Sequence, residues 1–380
     1  MKITLLGPAH PFRGGIAALN ERLAKQLHSE GHEVNIISFT VQYPGFLFPG
    51  KSQFSDFDAS FEFPITREIN SVNPLNWLKI GRKIEKTCPD IIIVRFWLPF
   101  MAMSLGTICR QIRKNKHTRV IALTDNLIPH EKRPGDRILI NYFVNSVDAF
   151  IAMSASVLKD IERFDAQKPK KLTPHPIYDH YGKIEKREVA LQKLNLAPEY
   201  RYILFFGFIR DYKGLDLLLK ALADSFFKKN KIKLIVAGEF YTDEEKYTRL
   251  IQELGIAEQL ILKTDYIPNS AVSNYFNVAD IVVQPYKSAT QSGVAQIAYH
   301  FNKPILVTDV GGLAEIVPHM KVGYVVLPDE NKISDALKDY FADNRKTTFE
   351  KNMAEEKKRF NWDNMTKTIY SLVNETNTKI

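Results

Sequence analysis

Short apolar runs suited to buried strands alternate with amphipathic runs of helical period through this whole chain. In the first half the strand-like runs fall at Lys2–Leu6, Glu33–Phe39, Asp90–Val94, Arg119–Leu123 and Ala149–Met153, with helical stretches such as Ile16–Ser29 and Asn76–Thr87 between them. In the second half they fall at Ile203–Phe206, Lys233–Val236, Gln259–Lys263, Ile281–Gln284, Ile305–Thr308 and Tyr324–Val326. The helical patterns there include Leu215–Lys228, Asp243–Leu254, Ser270–Ala279 and Ser292–Phe301. Alternation of this kind predicts parallel sheets flanked by helices, built twice over.

With 380 residues the chain exceeds one ordinary core, and two domains are the natural division. Prolines in Thr173-Pro-His-Pro-Ile-Tyr-Asp-His-Tyr-Gly182 break regular structure and mark the seam. The expected division is residues 1–180 and 181–360, each Rossmann-like, with a charged helix Glu185–Leu194 leading into the second. Phe360-Asn-Trp362-Asp then precedes a last helix, Asn364–Val373, within a closing segment 361–380. Ligands of doubly wound sheets bind at the carboxyl ends of the strands, so the expected site is a cleft between the two domains.

Composition excludes several classes. Two cysteines, Cys88 and Cys109, argue against a disulfide framework and fit a reducing cytoplasm. The nine histidines are scattered without metal-ligand spacing, so no metal and no bound cofactor are expected. No window holds the ~18 apolar residues that span a bilayer, and the apolar core of the first residues is too short for a signal peptide. Net charge is +9, and residues 1–180 carry most of it, with 24 Lys+Arg against 17 Asp+Glu. Such a half could face an anionic membrane or an acidic substrate, or be a solvated basic surface. The cations are spread over helices without a recognition motif, which disfavours nucleic acid.

The chemistry concentrates at strand-to-helix turns. After Ile203–Phe206 comes Gly207-Phe-Ile-Arg210-Asp-Tyr-Lys213-Gly214, where glycines permit close backbone approach and Arg210 and Lys213 offer a guanidinium and an ammonium. That suits a phosphate or diphosphate; two solvated cations on an ordinary turn is the plainer alternative. Gly7-Pro-Ala-His-Pro-Phe-Arg13-Gly14-Gly15 places two glycines before the first helix, which again suits an anion or a sugar. It lacks the dinucleotide fingerprint, and no acidic residue closes the second strand. Gln284-Pro-Tyr286-Lys287-Ser288-Ala-Thr290-Gln291-Ser292-Gly293 supplies N-caps and backbone amides for sugar hydroxyls or phosphate oxygens, and Asp309-Val-Gly311-Gly312 repeats the arrangement. In the first half Asp125-Asn126-Leu-Ile-Pro129-His130 lies past the strand Arg119–Leu123. His130 there either orients a hydroxyl and shares its proton or caps the next helix. Arg95 and Trp97, past another strand, either bind acceptor or pack.

Together these segments resemble the retaining glycosyltransferases of family 4, glycosyl transferases group 1, with the two-domain GT-B fold. The resemblance runs through nearly the whole chain: Gly14-Gly15-Ile16 with Gly31-His32-Glu33-Val34, the turn Gly207–Gly214, and Phe360-Asn-Trp362. The most specific match is Lys303-Pro304-Ile305-Leu-Val-Thr-Asp309-Val-Gly311-Gly312-Leu-Ala-Glu315-Ile316-Val317. It implies a first domain that binds acceptor, with Arg95, Trp97 and Asn126 as candidates, a second that binds a nucleotide sugar, and a last helix that returns to the first. Arg210 and Lys213 would hold the donor diphosphate without a metal. Gly14, Gly15 and Gly207 would let the donor approach, and the backbone of Tyr266-Ile267 would meet the base. Thr290, Gln291, Ser292 and Gly293 would meet the sugar, and His130 would lie near the reacting centre.

Two glutamates usual in the family are replaced by Thr290 and by Ile297 or Ala298, and Gln291 and Gln296 could substitute with amide hydrogen bonds. The expected activity is retaining transfer of a hexose from a UDP- or GDP-sugar to a hydroxyl acceptor, a lipid-linked or surface-polysaccharide precursor. The expected place is the cytoplasm, at the inner face of the plasma membrane. A nucleotide-sugar epimerase of the same fold and a catalytically degenerate nucleotide-sugar binder are the rivals. No paired carboxylates stand at glycosidase-like positions, which disfavours hydrolytic double displacement.

Overall fold

The computed structural model describes residues 1–44, 53–54, 60–129 and 133–377. Their strands form two separate sheets, parallel in every pairing. The first contains β1 (Lys2–Leu6), β2 (Glu33–Val41), β3 (Ile65–Asn70), β4 (Ile91–Phe96), β5 (Arg119–Thr124), β6 (Ala149–Ala152) and β7 (Lys170–Leu172), in spatial order β3-β2-β1-β4-β5-β6-β7. The second contains β8 (Arg201–Phe206), β9 (Ile232–Ala237), β10 (Leu260–Lys263), β11 (Ile281–Gln284), β12 (Ile305–Thr308) and β13 (Gly323–Val326), ordered β10-β9-β8-β11-β12-β13. Central strands carry unbroken apolar stretches such as Ile91-Ile-Ile-Val94, because helices cover both faces of a parallel sheet.

Two strands escaped sequence reading, and both lie at edges. β3 reads Ile-Thr-Arg-Glu-Ile-Asn and β7 only Lys-Lys-Leu. An edge strand has one neighbour and partial cover, so it carries little of the apolar signature that marks a buried strand. The helix expected over Leu215–Lys228 is two helices, Leu215–Ala221 and Ser225–Lys229. Asp224 separates them, its side chain accepting from the Phe226 amide at 2.8 Å as the N-cap of the second.

The chain divides into two compact units, one of Met1–Pro174 with Trp362–Ile380 and one of His175–Asn361. The seam thus falls at Pro174/His175, ahead of the 180/181 boundary, and the stretch His175–Tyr181 belongs with the second unit. There the Ile177 amide donates to the Phe360 carbonyl at 3.1 Å. The last helix, Trp362–Asn377, packs on the first unit and buries Ile369 and Leu372 fully. Thr366 bonds Glu30 at 2.9 Å, Tyr370 bonds His32 at 2.8 Å, and Lys171 pairs with Glu375 at 2.6 Å. No helix among the described residues is long and apolar enough to cross a membrane.

Candidate functional site

In the second unit the glycine turns meet at one sheet edge. β8, β11 and β12 are spatial neighbours, and the loops leaving their carboxyl ends touch. A Cβ on Gly214 would stand 1.9 Å from the Pro285 carbonyl oxygen, and one on Gly311 only 1.5 Å from that of Ala289. A Cβ on Gly238 would come within 2.3 Å of the Gly207 carbonyl oxygen. Gly207, Gly214 and Gly311 all have positive φ, so the backbone here needs glycine for its dihedrals as well as for space. The Lys287 amide donates to the Tyr212 carbonyl at 2.7 Å and the Thr308 hydroxyl to the Tyr286 carbonyl at 2.5 Å, tying the loops together.

Arg210 precedes, and Lys213 ends, a single 3-10 turn, Asp211–Lys213, which leads into Gly214. The helix that follows, Leu215–Ala221, has only seven residues, so the two cations rather than a helix dipole dominate this turn. The Arg210 guanidinium lies 5.2 Å from the ring centre of Tyr241, which itself stacks on Phe208 at 4.3 Å. The Lys213 ammonium sits 5.7 Å from the Tyr286 ring centre and 3.2 Å from where a Gly207 Cβ would be. The lysine stem is partly exposed, but its ammonium is desolvated. That desolvation, with the nearby Arg210 charge, pulls its pKa down to about 7.

The neighbouring acids are engaged elsewhere. Asp211 binds Lys246 at 2.9 Å and Tyr247 at 3.2 Å, and Asp216 binds Lys287 at 2.7 Å. Neither Arg210 nor Lys213 pairs with a carboxylate among the described residues, and the Arg210 charge acts on Lys213. That arrangement attracts a polyanion of phosphate geometry.

Beside this turn Ser292 caps the helix Gly293–His300, its hydroxyl accepting from the Ala295 amide at 3.4 Å. The buried Tyr286 also hydrogen-bonds the Ser292 side chain, which links the cap to the ring under Lys213. Thr290 and Gln291 precede the cap, and Tyr266-Ile267 lie, partly exposed, in the loop after β10. Gln296 lies deeper in the same helix. Three residues past Gly293 it is wholly buried, and neither its amide nitrogen nor its amide oxygen has a hydrogen-bond partner among the described residues. Ile297 and Ala298 are buried as well.

In the first unit Gly14 stands at the N-cap of the helix Gly15–Ser29 with φ 107°. The loop before it rests on two residues that sequence reasoning missed. Asn20 donates to the Pro8 carbonyl at 2.9 Å, and Glu21 accepts from the His10 amide at 2.6 Å. Burial pushes the Glu21 carboxyl up to about 7 despite that hydrogen bond. Both lie one to two turns into an amphipathic helix, where polar residues on the inner face are the signal that could have found them.

The acceptor candidates behave differently from one another. Arg95 is 2% exposed, and its Nε and Nη2 both bind the Asp125 carboxylate. The Trp97 indole donates to the Tyr43 hydroxyl at 2.6 Å and is buried. Both residues therefore pack, and only Asn126 keeps partial exposure. His130 lies outside the described residues. Among the described residues, no three His, Cys, Asp or Glu side chains cluster in a way that could hold a metal ion.

Two units, each built on a wholly parallel sheet, one of seven strands and one of six, are the architecture of the GT-B fold. The model for Glycosyltransferase Family 4 matches residues 13–177, and that for Glycosyl transferases group 1 matches residues 186–360. The chain belongs to this glycosyltransferase family. It is 23% identical to an uncharacterized glycosyltransferase of Methanocaldococcus jannaschii over 99% of both chains. Among solved structures, sucrose-phosphate synthase of Thermosynechococcus elongatus superposes with a TM-score of 0.77 at 17% identity, covering 100% of each chain. Anabaena HepE, solved in complex with UDP and glucose, gives 0.76 at 15% identity, covering 99% of this chain and 100% of that one.

Proposed function

We propose that this glycosyltransferase moves a hexose from a UDP- or GDP-sugar to a hydroxyl of a lipid-linked or surface-polysaccharide precursor, retaining the anomeric configuration. One observation carries the donor assignment: Arg210 and the desolvated Lys213 share one turn, while the adjacent Asp211 and Asp216 are bound to Lys246 and Lys287. A nucleotide diphosphate supplies the missing negative charge. The UDP in the HepE complex makes UDP the first donor nucleotide to try.

In this scheme the bond from the anomeric carbon to the β-phosphate oxygen breaks, and a bond to the acceptor oxygen forms on the same face of the sugar. The acceptor's proton passes to the departing diphosphate. Arg210 and Lys213 neutralise the charge that grows on that leaving group, the role a divalent cation plays in other transferases. Gly14 and Gly15 at the start of the first helix let the donor approach the backbone, and the backbone of Tyr266 and Ile267 holds the base. Thr290, Gln291, Ser292 and Gly293 contact the sugar, while Asn126 and His130 serve the acceptor side.

Thermal stabilisation by UDP, GDP and ADP, with and without EDTA, tests the scheme. UDP or GDP should raise the melting temperature equally in both conditions, and Arg210→Ala with Lys213→Ala should abolish the shift. No shift with any nucleotide rejects the donor site, and a shift lost on chelation rejects metal-independent binding.

The buried Ile297 and Ala298 favour a second possibility, a protein that binds nucleotide sugar without turning it over, because no carboxylate stands at those positions. Release of labelled sugar from the donor, set against transfer to a lipid or glycan extract, separates the two.

A further inference from the structure

The first unit carries a surface that the donor chemistry does not use. The helix Pro74–Thr87 is held firmly from below. Asn73 caps it, accepting from the Leu75 and Asn76 amides, and the Trp77 indole donates to the Asn70 carbonyl at 2.7 Å. Trp77, Ile80, Gly81 and Ile84 form its buried face. At Gly81 the neighbouring helix Ala102–Ile112 comes so close that a Cβ would stand 2.6 Å from that of Gln111. The opposite face is therefore presented in a fixed orientation.

That outer face has an unusual composition. A shallow groove on it is lined by Leu75, Leu78, Lys79, Arg82, Lys83 and Lys86, two leucines and four cations with no acid among them. Leu75 is 77% exposed and Leu78 is exposed too, at the start of the helix, with Val72 just before it. Lys83 is paired with Glu68 at 2.7 Å. Lys79, Arg82 and Lys86 pair with no carboxylate among the described residues. A solvated helix face intersperses charges of both signs at i,i+4 spacing and does not lift leucines into water.

The same edge continues the pattern. Helices crossing between parallel strands begin past the carboxyl ends of those strands, so the starts of successive crossovers line up. The helix Ala102–Ile112 leaves Met103 exposed in its first turn, and Asp136–Val144 leaves Ile138 exposed between Arg137 and the chain that follows.

We propose that this face docks on an anionic lipid surface, with Leu75 and Leu78 entering the headgroup boundary and Lys79, Arg82 and Lys86 meeting lipid phosphates. Charge complementarity selects an anionic partner, and the exposed leucines select one with an apolar interior. A nucleic acid would match the cations but gain nothing from the leucines. The docking surface is independent of the donor site, so each can fail alone.

Co-sedimentation of the full chain with vesicles tests it. The protein should bind vesicles of phosphatidylcholine and phosphatidylglycerol in equal parts, and not vesicles of phosphatidylcholine alone. Leu75→Ser with Leu78→Ser should weaken binding roughly tenfold at unchanged charge. Lys79→Gln, Arg82→Gln and Lys86→Gln together should weaken it roughly 100-fold, since each basic residue near such a surface contributes about a factor of five. All these positions are exposed, so melting temperatures should match the wild type. No binding to the phosphatidylglycerol vesicles overturns the proposal. Undiminished binding by the leucine variant, or equally tight binding of a single-stranded oligonucleotide through the same three cations, overturns it in favour of a general polyanion surface.

Discussion

Arg95 of β4 clasps, through Nε and Nη2, the carboxylate of Asp125, the residue that follows the neighbouring strand β5, against the Gly7 turn. Arg95 stands 2% exposed, so each charge depends on the other for its solvation. Removing one partner leaves the other buried and uncompensated. Arg95→Ala or Asp125→Ala should each cost about 3–5 kcal/mol. Replacing both with apolar residues of similar size, Arg95→Met with Asp125→Leu, should cost clearly less than the sum. Denaturant unfolding of the three variants checks this, and strict additivity would show the two charges to be independent.

The contact of Gly214 with Pro285 and that of Gly311 with Ala289 make a second case. A methyl group at either place meets a backbone carbonyl, and the positive φ opposes any side chain. Gly214→Ala and Gly311→Ala should each lower stability by at least about 1–3 kcal/mol from the backbone conformation alone. They should also weaken nucleotide binding. By contrast, Gly255→Ala meets nothing within 4 Å and bears only the conformational cost. A melting series of these three variants separates clash from conformation.

Lys213 gives the donor site a pH dependence. Its ammonium titrates near about 7 in the free protein. A bound diphosphate favours the charged form and raises that pKa, so above about pH 7 the complex holds more protons than the free protein. Nucleotide binding should therefore take up protons at pH 8. Affinity for UDP should fall as pH rises above about 7.5, with a limiting slope near tenfold per pH unit. Calorimetry in buffers of different ionisation enthalpy measures the uptake. Lys213→Arg should flatten the profile, because a guanidinium does not titrate in this range.

Ser292 serves the helix and the site together. Ser292→Ala removes the cap from Gly293–His300 and should cost about 1 kcal/mol, with Ser292→Gly losing less. Because Tyr286 also bonds this hydroxyl, the alanine variant should loosen the ring beneath Lys213 and weaken UDP binding as well. Melting and titration of both variants check the pair of effects.

The architecture was legible because buried parallel strands write themselves as apolar runs, and Ile91–Phe96 or Ile281–Gln284 admit few other readings. Edge strands such as Ile65–Asn70 did not, since half their surroundings are water. At the site, glycines betrayed the turns, because only tight backbone contacts such as Gly214 on Pro285 require them. Side-chain destinations were harder. Nothing in the sequence told that Gln296, a candidate substitute for a family glutamate, would be wholly buried, or that Asp125 would bind the Arg95 guanidinium. The aromatic supports of the cations, Tyr241 and Tyr286, had no local signature, because they reach Arg210 and Lys213 from distant loops.

The helix Trp362–Asn377 packs on the first unit, although the entire second unit precedes it in the chain. During synthesis the ribosome must therefore emit every residue of the second unit before the first can be finished. The hydrophobic bed for Ile369 and Leu372 waits uncovered until then. The unit that is begun first is the one completed last.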